Sequence, residues 1–425
     1  MGDLHIKNQV KQLNYWKLFL KEKQRFVYSI IHTIFSGYGQ TIVIASLFPW
    51  VQHEFDLTNE QFGKYYSLVT ILSAFTFQWF GKFIDTVYLK KYSLLTAFIL
   101  VSGYTTLAIS SWLPLTFLGI FLLRLAGQAV LSHIAMTSIT RFYDRERGKA
   151  LAFANLGHGL GEAIFPSLIL LLASLPLLGM RFSVALFALL AGLGLLLANL
   201  FLLRKDNEFC QPIFIKKSHT HANQLQHEIR RLVLHDPFFY GIMLLGILPA
   251  MLMTGFFLYQ SKISTYKGWE PLFLTTIYAS FVTAKIVFGF IVGLLIDKFR
   301  AINLYVWYCV PMIIGFLCLH FIDHILGAFL YLFLSGVTIG FGGQLKSALL
   351  SEVYVVEFVG TIRSMAGSVL VFSTAISPWL FGYLVDHGHT WGELLLVGSF
   401  TTTAITILNY FLLKTKKQEL QKSIV

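Results

Sequence analysis

Four ionisable side chains stand inside long apolar runs of this sequence: Arg124, Glu162, Lys285 and Lys346. A charge in that setting costs roughly 3 kcal/mol or more unless it is paired or hydrated, so these groups are the first candidates for chemistry. Asn155, His158 and Glu162 follow one another at i, i+3 and i+7, which places them along one face of a helix. Gly157, Gly159 and Gly161 beside them let neighbouring helices approach closely. A carboxylate held against a guanidinium responds to any movement of its partner by holding or releasing a proton. Glu162 is therefore expected to pair with Arg124 and to carry a proton; a static structural ion pair is the competing reading. His158 and His133 are further proton carriers by type, while single histidines in helices more often serve as hydrogen-bonded packing residues. Three cations against one carboxylate imply a ligand that brings negative charge. Lys285 is the best anion contact, the alternative being that it snorkels or pairs within the protein. Lys346 is expected to snorkel toward the surface or to pair with Glu352 or Glu357. Tyr38, Gln40, Gln128 and Gln344 supply uncharged hydrogen-bonding groups, and with Arg124, Lys285 and Lys346 they make up the expected binding set.

Composition decides what kind of element carries these residues. The chain has 425 residues, 56% hydrophobic and only 13% charged, where an ordinary soluble chain carries about 25% charged residues. Crossing roughly 30 Å of hydrocarbon takes about 20 apolar residues in a helix, and twelve runs qualify: 26–49, 65–84, 92–111, 115–140, 150–174, 182–203, 238–259, 272–296, 302–322, 326–351, 362–384 and 394–413. The expected class is an all-α integral membrane protein, with the lipid bilayer as its solvent. Lys and Arg concentrate in every second connection and in both termini, while only Lys64, Arg181, Lys262 and Lys267 fall on the other side. By the positive-inside rule both termini are cytoplasmic, in a multi-pass protein of the inner or plasma membrane. The net charge of +12 is thus read as membrane topology, and no nucleic-acid partner is expected.

The twelve spans divide into two copies of six. Gly81, Asp85, Gly148 and Pro166 recur without a gap as Gly293, Asp297, Gly360 and Pro378. The expected organisation is a tail over 1–25, a six-helix bundle over 26–203, a middle loop over 204–236, a second bundle over 237–413 and a tail over 414–425. Gly81-Lys82-Phe83-Ile84-Asp85 with Lys90 and Lys91 following, Gly293 to Asp297 with Lys298 and Arg300 following, and the turn Arg145-Glu146-Arg147-Gly148 together resemble the inner-turn signatures of the major facilitator superfamily. Thr86 and Tyr88 stand where that family commonly has Arg and Gly.

The resemblance implies twelve transmembrane helices in two pseudo-symmetric six-helix bundles that rock about a central site. It implies that helices 1, 4, 7 and 10 line the cavity, flanked by 2, 5, 8 and 11. It also implies a gate made of Gly81, Asp85, Lys90, Arg147, Gly148, Gly293, Asp297, Arg300 and Gly360. A carboxylate at one helix end facing the positive start of another is worth about 0.3–1 kcal/mol when exposed and up to about 2 when partly buried. Asp85 would suit the start of helix 11 near Gly360, and Asp297 that of helix 5 near Gly148.

No phosphate-cradling loop for ATP, no metal-ligand cluster and no paired nucleophile and base stand out, so no cofactor, metal or enzymatic activity is expected. Cys210, Cys309 and Cys318 offer no disulfide framework. The reading at this level is a monomeric secondary transporter, moving a small anionic or zwitterionic solute with a coupling proton. Export of hydrophobic compounds, or a transport-dead membrane sensor on the same scaffold, are the rival readings.

Overall fold

The structure, a computed structural model, describes residues 19–20, 22–142, 147–176, 179–202, 209, 235–354 and 359–422. Among the described residues it is helical throughout, with no strand. The principal helices are α1 (Lys23–Glu54), α2 (Asn59–Phe80), α3 (Leu89–Ile109), α4 (Leu113–Ile139), α5 (Arg147–Ser174) and α6 (Gly179–Leu202), then α7 (Pro237–Leu258), α8 (Ala279–Phe299), α9 (Val310–Phe321), α10 (Ile325–Val353), α11 (Val359–Asp386) and α12 (Trp391–Lys422). Nine described helices are long and apolar enough to cross a membrane; α2, α9 and α11 complete the order that the twelve apolar runs predict. In hydrocarbon every backbone polar group must be satisfied within the protein, which leaves helices as the solution for runs of this length.

Local chemistry sets the helix ends. Thr58 and Gln61 form a capping box at the start of α2. Asp236 caps α7 ahead of Pro237 in its first turn. Thr390 and Glu393 exchange side-chain and backbone hydrogen bonds at the start of α12.

Within the first half α1 packs on α5, and α3 on both α4 and α6; within the second, α7 packs on α11 and α12, and α10 on α8 and α9. The halves meet along α2 against α11, α5 against α8 and α1 against α7. At one end this contact is tight. A Cβ added to Gly63 of α2 would run into the Pro378 carbonyl, and one added to Gly382 of α11 would run into the Asn59 carbonyl.

Two irregular stretches lie against one another in the first half. α1 breaks at Gly37–Gly39 into a tight turn, Gln40 is extended, and a second half-helix starts at Thr41. α4 widens into a π-helical stretch over Arg124–Leu131. Gly39 sits so close to this stretch that a Cβ would collide with the Leu123 carbonyl and the Gln128 amide, and Gly127 is equally close to Gly39. Small residues permit that approach, and wide turns of this kind recur at functional sites.

Candidate functional site

A cavity of about 190 Å³ lies between the halves, lined by Gln40, Thr41 and Ile42 of α1, Arg124 and Gln128 of α4, Glu162 of α5, Ala250, Met253 and Phe257 of α7, and Lys285 of α8. A second cavity of about 260 Å³ continues from Lys285 along α5, α8 and α10, past Asn155, His158 and Gly159 to Gln344. Lys285 and Ile339 belong to both.

Lys285 Nζ donates to Glu162 Oε2 at 2.7 Å, an ion pair that crosses from one half to the other. Glu162 is 8% exposed. This differs from the expected Glu162–Arg124 pair. Residue spacing fixes where each charge lies along its helix, but the rotation of α5 and α8 about their axes decides which charges meet, and that rotation turns Glu162 toward the opposite half.

Arg124 instead points at the break in α1. Its Nη1 donates to Thr41 Oγ1 at 3.1 Å, a hydroxyl that also accepts from Tyr66. The guanidinium lies 5.1 Å from the centroid of the Tyr66 ring, a favourable cation–π position. Arg124 is only 3% exposed, and its Nε finds no acceptor.

The remaining expected residues divide by location. Gln40 and Gln128 line the first cavity and Gln344 the second, its Nε2 donating to the Gly289 carbonyl at 2.6 Å. Tyr38 does not line either: it is 1% exposed and packs among Tyr104, Phe165 and Phe187 inside the first half. The Gly37–Gly39 turn that frees Gln40 and Thr41 for the cavity rotates Tyr38 away from it. Lys346 lines neither cavity and has no described contact with Glu352; its side chain lies beside Gly246 of α7. The Glu352 carboxylate instead accepts from the amides of Ala301 and Ile302 at 2.7 and 3.2 Å, because these open a short helix after α8 and need an acceptor. Glu357 lies outside the described residues.

His158 sits between Ser36, at 3.5 Å, and Ser132, at 3.1 Å, on the wall of the second cavity. His133 is remote from both cavities and ties α4 to the end of α2 through the Gly81 carbonyl at 3.1 Å.

Of the gate residues, Gly81 ends α2, Lys90 lies in the first turn of α3, and Gly293 lies within α8. Arg300 ends α8 with a positive φ of 64° and lies 3.9 Å from Glu352. Gly148 and Gly360 fall in the first turns of α5 and α11. The side chains of Asp85, Asp297 and Arg147 are outside the described set, so the two expected carboxylate contacts are too.

Residue spacing gave no sign of a clasp at the Asn59 end. The Asp386 carboxylate of α11 accepts from Asn59 Nδ2 and from the Glu60 amide, both at 2.7 Å. The Tyr259 hydroxyl donates to the Asn59 and Pro378 carbonyls at 2.9 and 2.7 Å. The Thr58–Gln61 capping signature marked the helix start that Asp386 engages, but nothing in the order of residues paired it with a carboxylate over three hundred positions away.

A family model described as the Major Facilitator Superfamily matches residues 30–344 and again 253–424. Among solved structures, a point variant of the nucleoside transporter NupG aligns at 13% identity over 92% of this chain and 99% of its own, with a TM-score of 0.73. A bacterial homologue of the human lysosomal transporter Spinster, solved inward-facing and unoccupied, aligns at 14% identity over 94% of this chain and 98% of its own, with a TM-score of 0.70. At these identities the likeness speaks for the fold.

Proposed function

Because the chain belongs to the Major Facilitator Superfamily, whose architecture its helices share, we propose that it is a proton-coupled secondary transporter of a small organic anion or zwitterion, working by alternating access in the inner or plasma membrane. Transport across a membrane is the coarse function of that fold; the solute and the coupling are read from the site.

The observation that carries the reading is the Lys285–Glu162 contact, since it joins the two halves inside the cavity between them. Removing the partner of a buried ion costs about 3–5 kcal/mol. Glu162 therefore has two stable conditions, paired with Lys285 or protonated. A solute anion in the same cavity adds negative charge beside Glu162 and shifts it toward the second, and a neutral Glu162 lets α5 and α8 separate without stranding a carboxylate in hydrocarbon. Proton uptake and solute binding are linked through the charge balance of one cavity. In this conformation the halves are clasped at the Asn59–Asp386 end, and the cavity continues from Lys285 toward Gln344, a shape suited to exchange with the cytoplasmic side when both termini are cytoplasmic.

The charged groups Arg124, Lys285 and Glu162 gather on the smaller of the two adjoining cavities, about 190 Å³ against about 260 Å³, and a small solute fills it. The test is uptake into proteoliposomes under an imposed inward proton gradient, screening labelled carboxylates and amino acids. Glu162→Gln is expected to retain exchange and lose accumulation, and Lys285→Ala to lose anion uptake. Accumulation by Glu162→Gln at the parent level would remove Glu162 from the coupling.

A further inference from the structure

We infer that Arg124 and the break in α1 form a carboxylate subsite, and that the solute is a monocarboxylate with a small apolar or aromatic body. The inference deepens the transport reading by naming what the first cavity holds.

The charges at the cavity do not cancel. Arg124, Lys285 and Glu162 are its charged lining residues among those described, and Glu162 is engaged by Lys285. That leaves one buried guanidinium whose described contacts are a hydroxyl and a ring face. Its Nε has no acceptor although the side chain is 3% exposed. A guanidinium presents its donors as planar forks that match a carboxylate with two parallel bonds, and with Nη1 donating to Thr41 the buried Nε is left with no acceptor. The second half-helix of α1 begins at the same place with no side-chain cap. Its first residues, Thr41 and Ile42, line the cavity, so its uncapped amides add positive potential beside the guanidinium. A single uncompensated positive charge matches a monoanion; a dianionic phosphate would carry one negative charge too many into a low-dielectric site.

Across the cavity the wall changes character. Ala250, Met253, Phe257, Phe281 and Ile339 of the second half line the cavity, with Thr254, Tyr278 and Thr374 interspersed among them. A body of a few carbons or one ring fits a cavity of about 190 Å³, and Gln40 and Gln128 leave room for one polar substituent. The carboxylate is thus bound by the first half and the apolar body by the second, so the solute bridges the two surfaces that must move relative to one another.

The test is equilibrium binding of labelled phenylacetate and butyrate to the purified full chain in nanodiscs, with phenylacetamide and inorganic phosphate as competitors. The acid is expected to bind at least about 10–100-fold more tightly than the neutral amide, from the loss of charge-assisted bonds, and phosphate is expected not to compete. Arg124→Gln is expected to lose acid binding by a similar factor while remaining folded by thermal melting. Equal affinity for acid and amide, phosphate competing better than the acid, no carboxylate bound, or parental binding by Arg124→Gln would each overturn the subsite. The acid-to-amide ratio is measured on the parent chain and stands even if Arg124→Gln does not fold. Carboxylate binding without gradient-driven uptake keeps the subsite and removes the coupled transport reading. Gradient-driven uptake with unchanged affinity in Arg124→Gln does the reverse.

Discussion

Arg124 and Lys285 are both cations lining one cavity, yet they are held in opposite ways. Lys285 meets a carboxylate from the other half at 2.7 Å, whereas Arg124 meets a hydroxyl and a ring face from its own half. A cation neutralised across the interface is sensitive to the relative position of the halves. A cation supported within one half keeps its geometry while the other half moves, and keeps its charge available. On the proposed function the pair separates two tasks: Lys285 reports movement and Arg124 holds the cargo.

The sharpest way to break this contrast is to remove the cation of the mobile pair. Lys285→Met leaves Glu162 buried and unpaired and is expected to lower stability by about 3–5 kcal/mol, read as a fall in melting temperature. Adding Glu162→Met in the same chain is expected to recover most of that loss, since a buried ion pair replaced by apolar residues is often neutral. A double variant as unstable as the single one would mean that Glu162 is not stranded by the loss of Lys285.

A smaller effect is expected at the clasp. Asp386→Ala removes an exposed carboxylate from the start of α2 in the opposite half, worth about 0.3–1 kcal/mol. It should raise the fraction of molecules parted at that end, measured as the distance distribution between spin labels on α2 and α11. Arg124→Gln should change the stability of the empty protein by only about 1 kcal/mol, because the hydrogen bond it loses is offset by relief of an unpaired buried charge.

The smallest effect belongs to a surface pair outside the spans. Lys267 donates to Asp323 at 2.6 Å and holds its carboxyl below the usual range. The contribution is present above the ordinary aspartate value and is lost as pH falls through the lowered one. Asp323→Asn should abolish that acid-side dependence in a pH series of melting curves.

The spans and the two copies were legible because length, apolarity and the recurrence of Gly, Asp and Pro are properties of the chain alone. Apolar runs singled out Arg124, Glu162 and Lys285, and the family resemblance brought the helices that carry them, with Gln40 and Gln128, to one cavity. What was not legible is rotation. The break at Gly37–Gly39 turns Tyr38 into the aromatic interior and Thr41 toward Arg124. The wide turn of α4 alters the register of the residues C-terminal to it, and the contact of α5 with α8 gives Glu162 a different partner from the one expected. Asp386 escaped notice because its effect depends on an end-to-end contact between helices far apart in the chain.

The π-helical stretch of α4 has a consequence for editing the gene. Relative to an ordinary helix it holds a surplus residue, so deleting one position between Leu125 and Leu131 would let α4 close into regular turns with Ser132 and His133 still directed at His158 and the Gly81 carbonyl. The same deletion in a regular turn of α4 would rotate everything after it by about 100°. A codon lost inside the stretch is absorbed, and one lost elsewhere in the helix is transmitted to its far end.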